Sequence, residues 1–161
     1  MNEQWYTVGG KKIDNIHDEL EEFKDSENVI IHIGTDAQAK GHNKANFVTV
    51  IVVYTMSKGG RIFYWRDKNI SFFSLWDKLY GETERSLRIA TDLEKHFGIE
   101  FGSKIMVHVD ANEDKRWASS SYVKQLAGMV MGYGFKYVLK PDAWAASHCA
   151  DHIVKGKHQG R

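Results

Sequence analysis

Apolar positions along the chain follow two periods, and the change between them predicts the elements. From Val29 to Asp36 a compact apolar run ends in Gly34-Thr35-Asp36, and Phe47 to Thr55 is a second run rich in Val and Ile. Short runs of β-branched residues bounded by polar or glycine turns read as strands. Ser57-Lys58-Gly59-Gly60 supplies the next turn, and Arg61 to Asp67 carries alternating aromatics, so a third strand follows. Three strands with short connections predict an antiparallel meander.

Beyond residue 74 the period lengthens. Leu75, Leu79, Leu87, Ala90, Leu93 and Phe97 share one stripe, which predicts a long helix closed by Gly98. Lys104 to Asp110 reads as a fourth strand and Tyr137 to Lys140 as a short fifth. Ser119 to Tyr133 forms a helix between them, with the serines at its cap. Pro141 opens a last helix running to about Val154, since proline's missing N–H is not needed in a first turn. Near the start, Ile13, Ile16, Leu20 and Phe23 predict a short acidic helix. The whole is an α/β chain with a five-stranded mixed sheet: a β-β-β meander, then α-β-α-β-α, with helices on both faces. The expected organisation is an acidic extension over 1–28, one domain over 29–155 and a basic tail over 156–161.

Composition narrows this picture. The chain has 161 residues, 42% of them hydrophobic and 27% charged, enough for a packed core and against disorder. Its one cysteine, Cys149, excludes an internal disulfide and any cysteine-rich zinc site. No apolar run is long enough for a membrane helix, and a cytoplasmic location is expected. Net charge is only +1, but it is unevenly spread. Residues 1–28 hold eight acids and three bases, a net of −5, so the remainder carries +6. Carboxylates gathered into a metal site would leave the other surfaces more basic still, which suits a nucleic-acid partner.

Two strands finish on aspartate, Asp36 in Ile31-His-Ile-Gly-Thr-Asp36 and Asp110 in Met106-Val-His-Val-Asp110. One such residue would be read as a turn or cap. Two in one sheet point to a site, because ligands of α/β sheets bind near the carboxyl ends of strands. Glu82 lies on or beside the inward stripe of the long helix, with Leu79, Ser86 and Ala90 as neighbours, whereas Glu84 points elsewhere. A core-facing carboxylate is costly unless paired or bound to a cation. The last helix offers Asp151, deep in its span, and Asp142, whose place beside Pro141 the helix dipole alone explains. Asp36, Glu82, Asp110 and Asp151 together make a hard oxygen set suited to two Mg²⁺ or Mn²⁺ ions, with Asp142 the second candidate for the fourth place. His148 and His152, one turn apart beside Asp151, are candidate hydrogen-bond partners of these acids or proton carriers. His32 and His108 share strand parity with Asp36 and Asp110 and are read as core histidines.

Element order and acid placement resemble the ribonuclease H-like superfamily, and more narrowly the YkuK-like family of bacterial and phage proteins. The matching words are Ile33-Gly-Thr-Asp36-Ala-Gln38, Glu82-x-x-x-Ser86-Leu87, Asp110-Ala-Asn112, Gly128-Met-Val130 and Lys140-Pro-Asp-Ala-Trp-Ala-Ala-Ser147-x-x-Ala-Asp151. The resemblance implies a ribonuclease H-like fold with acids on the first strand, first long helix, fourth strand and last helix. It implies a nuclease that hydrolyses phosphodiesters of RNA, RNA/DNA hybrid or branched DNA by a two-metal-ion mechanism. The alternative is a non-catalytic module that binds nucleic acid or protein on the same fold. Complete retention of the acids favours the nuclease.

Overall fold

The structure is a computed structural model that describes residues 3–145. Strand β1 (Trp5–Thr7) and strand β2 (Lys12–Ile13) precede a short helix α1 (Ile16–Leu20), which a 3₁₀ turn continues to Phe23. The meander is β3 (Val29–Ala39), β4 (Lys44–Thr55) and β5 (Gly59–Ser71). Helix α2 (Leu75–Phe97) and the single turn α3 (Ile99–Gly102) lead to β6 (Ile105–Asn112). A 3₁₀ turn over Ala118–Tyr122, helix α4 (Val123–Gly132) and β7 (Lys136–Lys140) complete the described elements.

All seven strands form one mixed sheet in the order β2-β1-β5-β4-β3-β6-β7. The meander pairs antiparallel, while β6 runs parallel to β3 and β7 parallel to β6, each after a helical crossover. The expected sheet of five strands therefore needs correction to seven. β1 and β2 come from the acidic N-terminal segment and extend the free edge of β5, with Trp5 opposite both Trp65 and Ile13. Strands of three and two residues are too short to show a period, so only the partner's edge reveals them.

Side-chain parity divides the sheet. Val29, Ile31 and Ile33 of β3, Ile51 and Val53 of β4, and Ile105, Val107 and Val109 of β6 point to one face. There they meet Leu79, Leu87, Ala90 and Leu93 of α2 and Leu126 and Val130 of α4 in the main core. Helix α1 joins this face through buried Leu20, and its His17 Nε2 meets Asp92 Oδ2 of α2 at 2.6 Å. Val48, Val50, Val52 and Tyr64 occupy the opposite face with Ala145 packed on them. Helices α1, α2 and α4 thus share one face, and the opposite face is met by the segment after β7.

Two helix starts beyond α2 differ from expectation. The second crossover helix begins at Val123, after a 3₁₀ turn, and no side chain caps that turn. Ser119 Oγ instead accepts the Asn112 N–H at 3.1 Å, fastening the loop that leaves β6. Pro141 and Asp142 form a turn rather than a first helical turn, and helical backbone begins at Ala145. The rest of the expected last helix, with Asp151, His148 and His152, lies outside the described residues. No helix among those described is long and apolar enough to cross a membrane.

Candidate metal centre

Asp36 and Asp110 lie inside strands, three residues before the end of β3 and two before the end of β6. Neither serves a turn or a cap. Both have even parity, so both point away from the main core, on the face of His32 and His108. Pairing of Gly34 with His108 in parallel register sets the two acids side by side at the same end of the sheet.

Glu82 comes from the other face. The start of α2 is fixed by Ser74 Oγ, which accepts the Asp77 N–H at 3.1 Å, while Asp77 Oδ2 accepts the Phe73 N–H at 2.9 Å. From that start, two turns bring Glu82 over β3. One turn further on, buried Ser86 Oγ meets Thr35 Oγ1 at 2.8 Å, and Thr35 Oγ1 also meets Thr49 Oγ1 of β4 at 2.9 Å. This hydroxyl chain ties helix to strand beside the two aspartates. Glu82 is 2% exposed, and its Oε2 accepts the Ala37 N–H at 2.8 Å.

One oxygen from each of Asp36, Glu82 and Asp110 lies within 4.8 Å of the other two. Burial pushes the Glu82 carboxyl up to about 8, and the charges of Asp110 and Asp36 add to the rise against the pull of Lys78 and the Ala37 amide. Its Oε1 is buried and has no hydrogen-bond partner among the described residues. Three carboxylates brought this close, one of them with a buried oxygen that lacks a hydrogen bond, are a donor set for a hard divalent cation. The residues present fit such an ion.

Asp142 is exposed on the turn after β7 and is not in this group of three. Glu84 lies on the same helix as Glu82 but lines a separate groove with Tyr80, Leu87 and Met129. Lys140 is the residue that single-sequence reading passed over. The last pair of the β6–β7 ladder, Asn112 with Lys140, follows an irregularity, and it brings Lys140 Nζ to 2.5 Å from Asp110 Oδ1. Lysine at a strand end has the sequence signature of a solvated residue, and its place in the matching word Lys140-Pro-Asp gave it no role of its own.

His32 and His108 support the centre from behind. The Trp144 and Ala145 N–H groups donate to His108 Nδ1 at 3.2 and 3.3 Å, so that nitrogen carries no proton. The proton sits on His108 Nε2, which donates to His32 Nδ1 at 2.8 Å. Burial lowers both rings' affinity for a second proton, His108 to about 4 with His32 adding to the effect. The pair stays neutral and ties the start of the C-terminal segment to β6, two residues before Asp110.

A family model described as ribonuclease H-like matches residues 12–155. The chain belongs to the ribonuclease H-like family. The mixed α/β architecture and the acidic triad agree with that membership. No curated protein and no solved structure matches the chain.

Proposed function

We propose that this ribonuclease H-like protein is a metal-dependent nuclease that hydrolyses phosphodiester bonds in RNA, RNA/DNA hybrid or branched DNA. The observation that carries this reading is the convergence of one carboxylate oxygen from each of Asp36, Glu82 and Asp110, in a group whose Glu82 Oε1 is buried and without a hydrogen-bond partner among the described residues. Family membership and the narrower YkuK-like words support it. Asp36 and Asp110 would hold Mg²⁺ or Mn²⁺ from the sheet and Glu82 from the helix, with Asp151 of the last helix proposed ahead of Asp142 as fourth ligand. Bound there, such ions would supply an activated water and charge neutralisation for phosphodiester hydrolysis.

The protein's own part is positional. The Thr35–Ser86 contact and the Ala37 amide fix Glu82 at one height above β3. The His32–His108 pair fixes the segment that leads to Asp151. The test is a panel of labelled single-stranded RNA, RNA/DNA hybrid, single-stranded DNA, duplex DNA and four-way junction, each with Mg²⁺, Mn²⁺ or EDTA. Cleavage of at least one substrate, abolished by EDTA and by Asp36→Asn, is expected. Cleavage of none would leave a binding module on a retained fold.

A further inference from the structure

The Asp110–Lys140 pair has no counterpart in the nuclease reading. Lys140 Nζ lies 2.5 Å from an oxygen of a carboxylate that is almost buried, while its own side chain is 40% exposed. A lysine is ordinarily an ammonium at neutral pH, and this one is paired with Asp110 beside the other two acids of the triad. Lys78, the other ammonium at the triad among the described residues, touches only Glu82 Oε2, from one turn earlier on the same helix and at 3.5 Å.

A metal ion shared by the triad would be held in part by a carboxylate oxygen of Asp110. An ammonium held on that carboxylate is a full positive charge within a few ångströms of the ion. The two cations repel too strongly to share so small a space. The lysine is the partner that can leave, since its four-carbon stem is flexible and half of it already reaches solvent.

We propose that Lys140 is the built-in counter-cation of the triad, holding the metal's place at Asp110 until a divalent ion expels it. This rests on reading the triad as a metal site. Two properties follow. Metal affinity is weaker than the three carboxylates alone would give, because each ion must displace a paired charge. Monovalent ions are excluded, because exchanging one single charge for another gains nothing and forfeits a formed hydrogen bond.

The test is isothermal titration of Mn²⁺ alone into the metal-free full chain, at constant ionic strength, for the wild type, Lys140→Met, Lys140→Arg and Asp110→Asn. Thermal melting accompanies each titration, with and without 0.2 M KCl. Lys140→Met should bind Mn²⁺ about tenfold more tightly, the change expected from deleting one competing charge at a half-buried site. Its metal-free form should melt below the wild type, and it should gain stability from KCl where the wild type does not. Lys140→Arg, which keeps the charge, should stay near wild-type affinity, and Lys140→Gln replaces Lys140→Met if the latter fails to fold. Equal or weaker Mn²⁺ binding by the neutral variants overturns the proposal. If the wild type binds Mn²⁺, Asp110→Asn does not and Lys140→Met matches the wild type, the lysine's role alone is wrong. If the wild type binds no Mn²⁺, the metal reading of the triad falls and this inference falls with it.

Discussion

The backbone amide of Ala37 and the buried carboxylate of Glu82 join strand β3 to helix α2 at 2.8 Å, one residue past Asp36. That bond uses one oxygen of Glu82 and leaves the other without a hydrogen-bond partner among the described residues. The helix therefore contributes an acid whose height is set by the strand it serves. Burial and the neighbouring aspartates hold that acid protonated up to about 8 when no cation is present.

Glu82→Gln is expected to stabilise the metal-free protein. The folded carboxyl holds its proton up to about 8, whereas the unfolded one releases it near 4.5. Stability of the wild type therefore falls as pH rises from 4.5 to 8 and levels off beyond. Gln removes that slope while keeping an oxygen for the Ala37 amide, a gain of about 1–3 kcal/mol at neutral pH. Urea unfolding in EDTA at pH 5 and pH 8 checks it, and an unchanged slope would count against the buried acid.

Mn²⁺ is expected to raise the melting temperature of the wild type, and Asp36→Asn to abolish the rise without disturbing the fold. Binding confined to the native state contributes about 2.7 kcal/mol at a hundredfold excess over Kd. Differential scanning fluorimetry with and without the ion reads both. Asp142→Asn should retain the full shift, because Asp142 is exposed and apart from the triad.

Acid should loosen the histidine pair. Both rings bind a proton less readily when folded, His108 only at about 4, against an ordinary value of 6.5. The unfolded chain takes up protons that the native state refuses, so stability is full above 6.5 and is lost as pH falls from there towards 4. His108→Gln should flatten that window in a comparison of denaturation midpoints at pH 7.5 and pH 5. At pH 7.5 it should cost about 1–2 kcal/mol for the amides of Trp144 and Ala145 that it leaves poorly paired.

Thr35→Val tests the hydroxyl chain. It keeps the shape but strands Ser86 and Thr49, both buried, and should cost about 1–3 kcal/mol. The prediction specific to the site is a weaker Mn²⁺ shift, since Ser86 anchors the turn after Glu82. A stability loss with an unaltered Mn²⁺ shift would show that the chain is structural only.

The long elements were legible because their periods are long enough to count. Helix α2 spans Leu75–Phe97 as its apolar stripe indicated, and strand parity put His32 on one face with Asp36 and His108 on one face with Asp110, while the β3–β6 register that brings the two pairs together came from the structure. The inward phase of Glu82 could be read from Leu79, Ser86 and Ala90. What stayed hidden depends on contacts across the chain. The pairing of Trp5 with Trp65 cannot be inferred from three residues of strand. Ser119 looked like a helix cap because a serine before a helix usually is one, yet its hydroxyl serves Asn112. Lys140 could not be distinguished from a solvated lysine until the β6–β7 register set it against Asp110.

The parallel pairing of β3 with β6 also governs when the site comes into being. Asp36 and Glu82 leave the ribosome well before Asp110, and Gly34 finds its register against His108 only after the whole of α2 has crossed the sheet. Such a non-local pairing is slow to form, and no local fragment can imitate it. A nascent or clipped chain lacking β6 therefore has only two of the three carboxylates. The acidic triad is incomplete until synthesis has passed the second aspartate, so completion of the sheet acts as its safety catch.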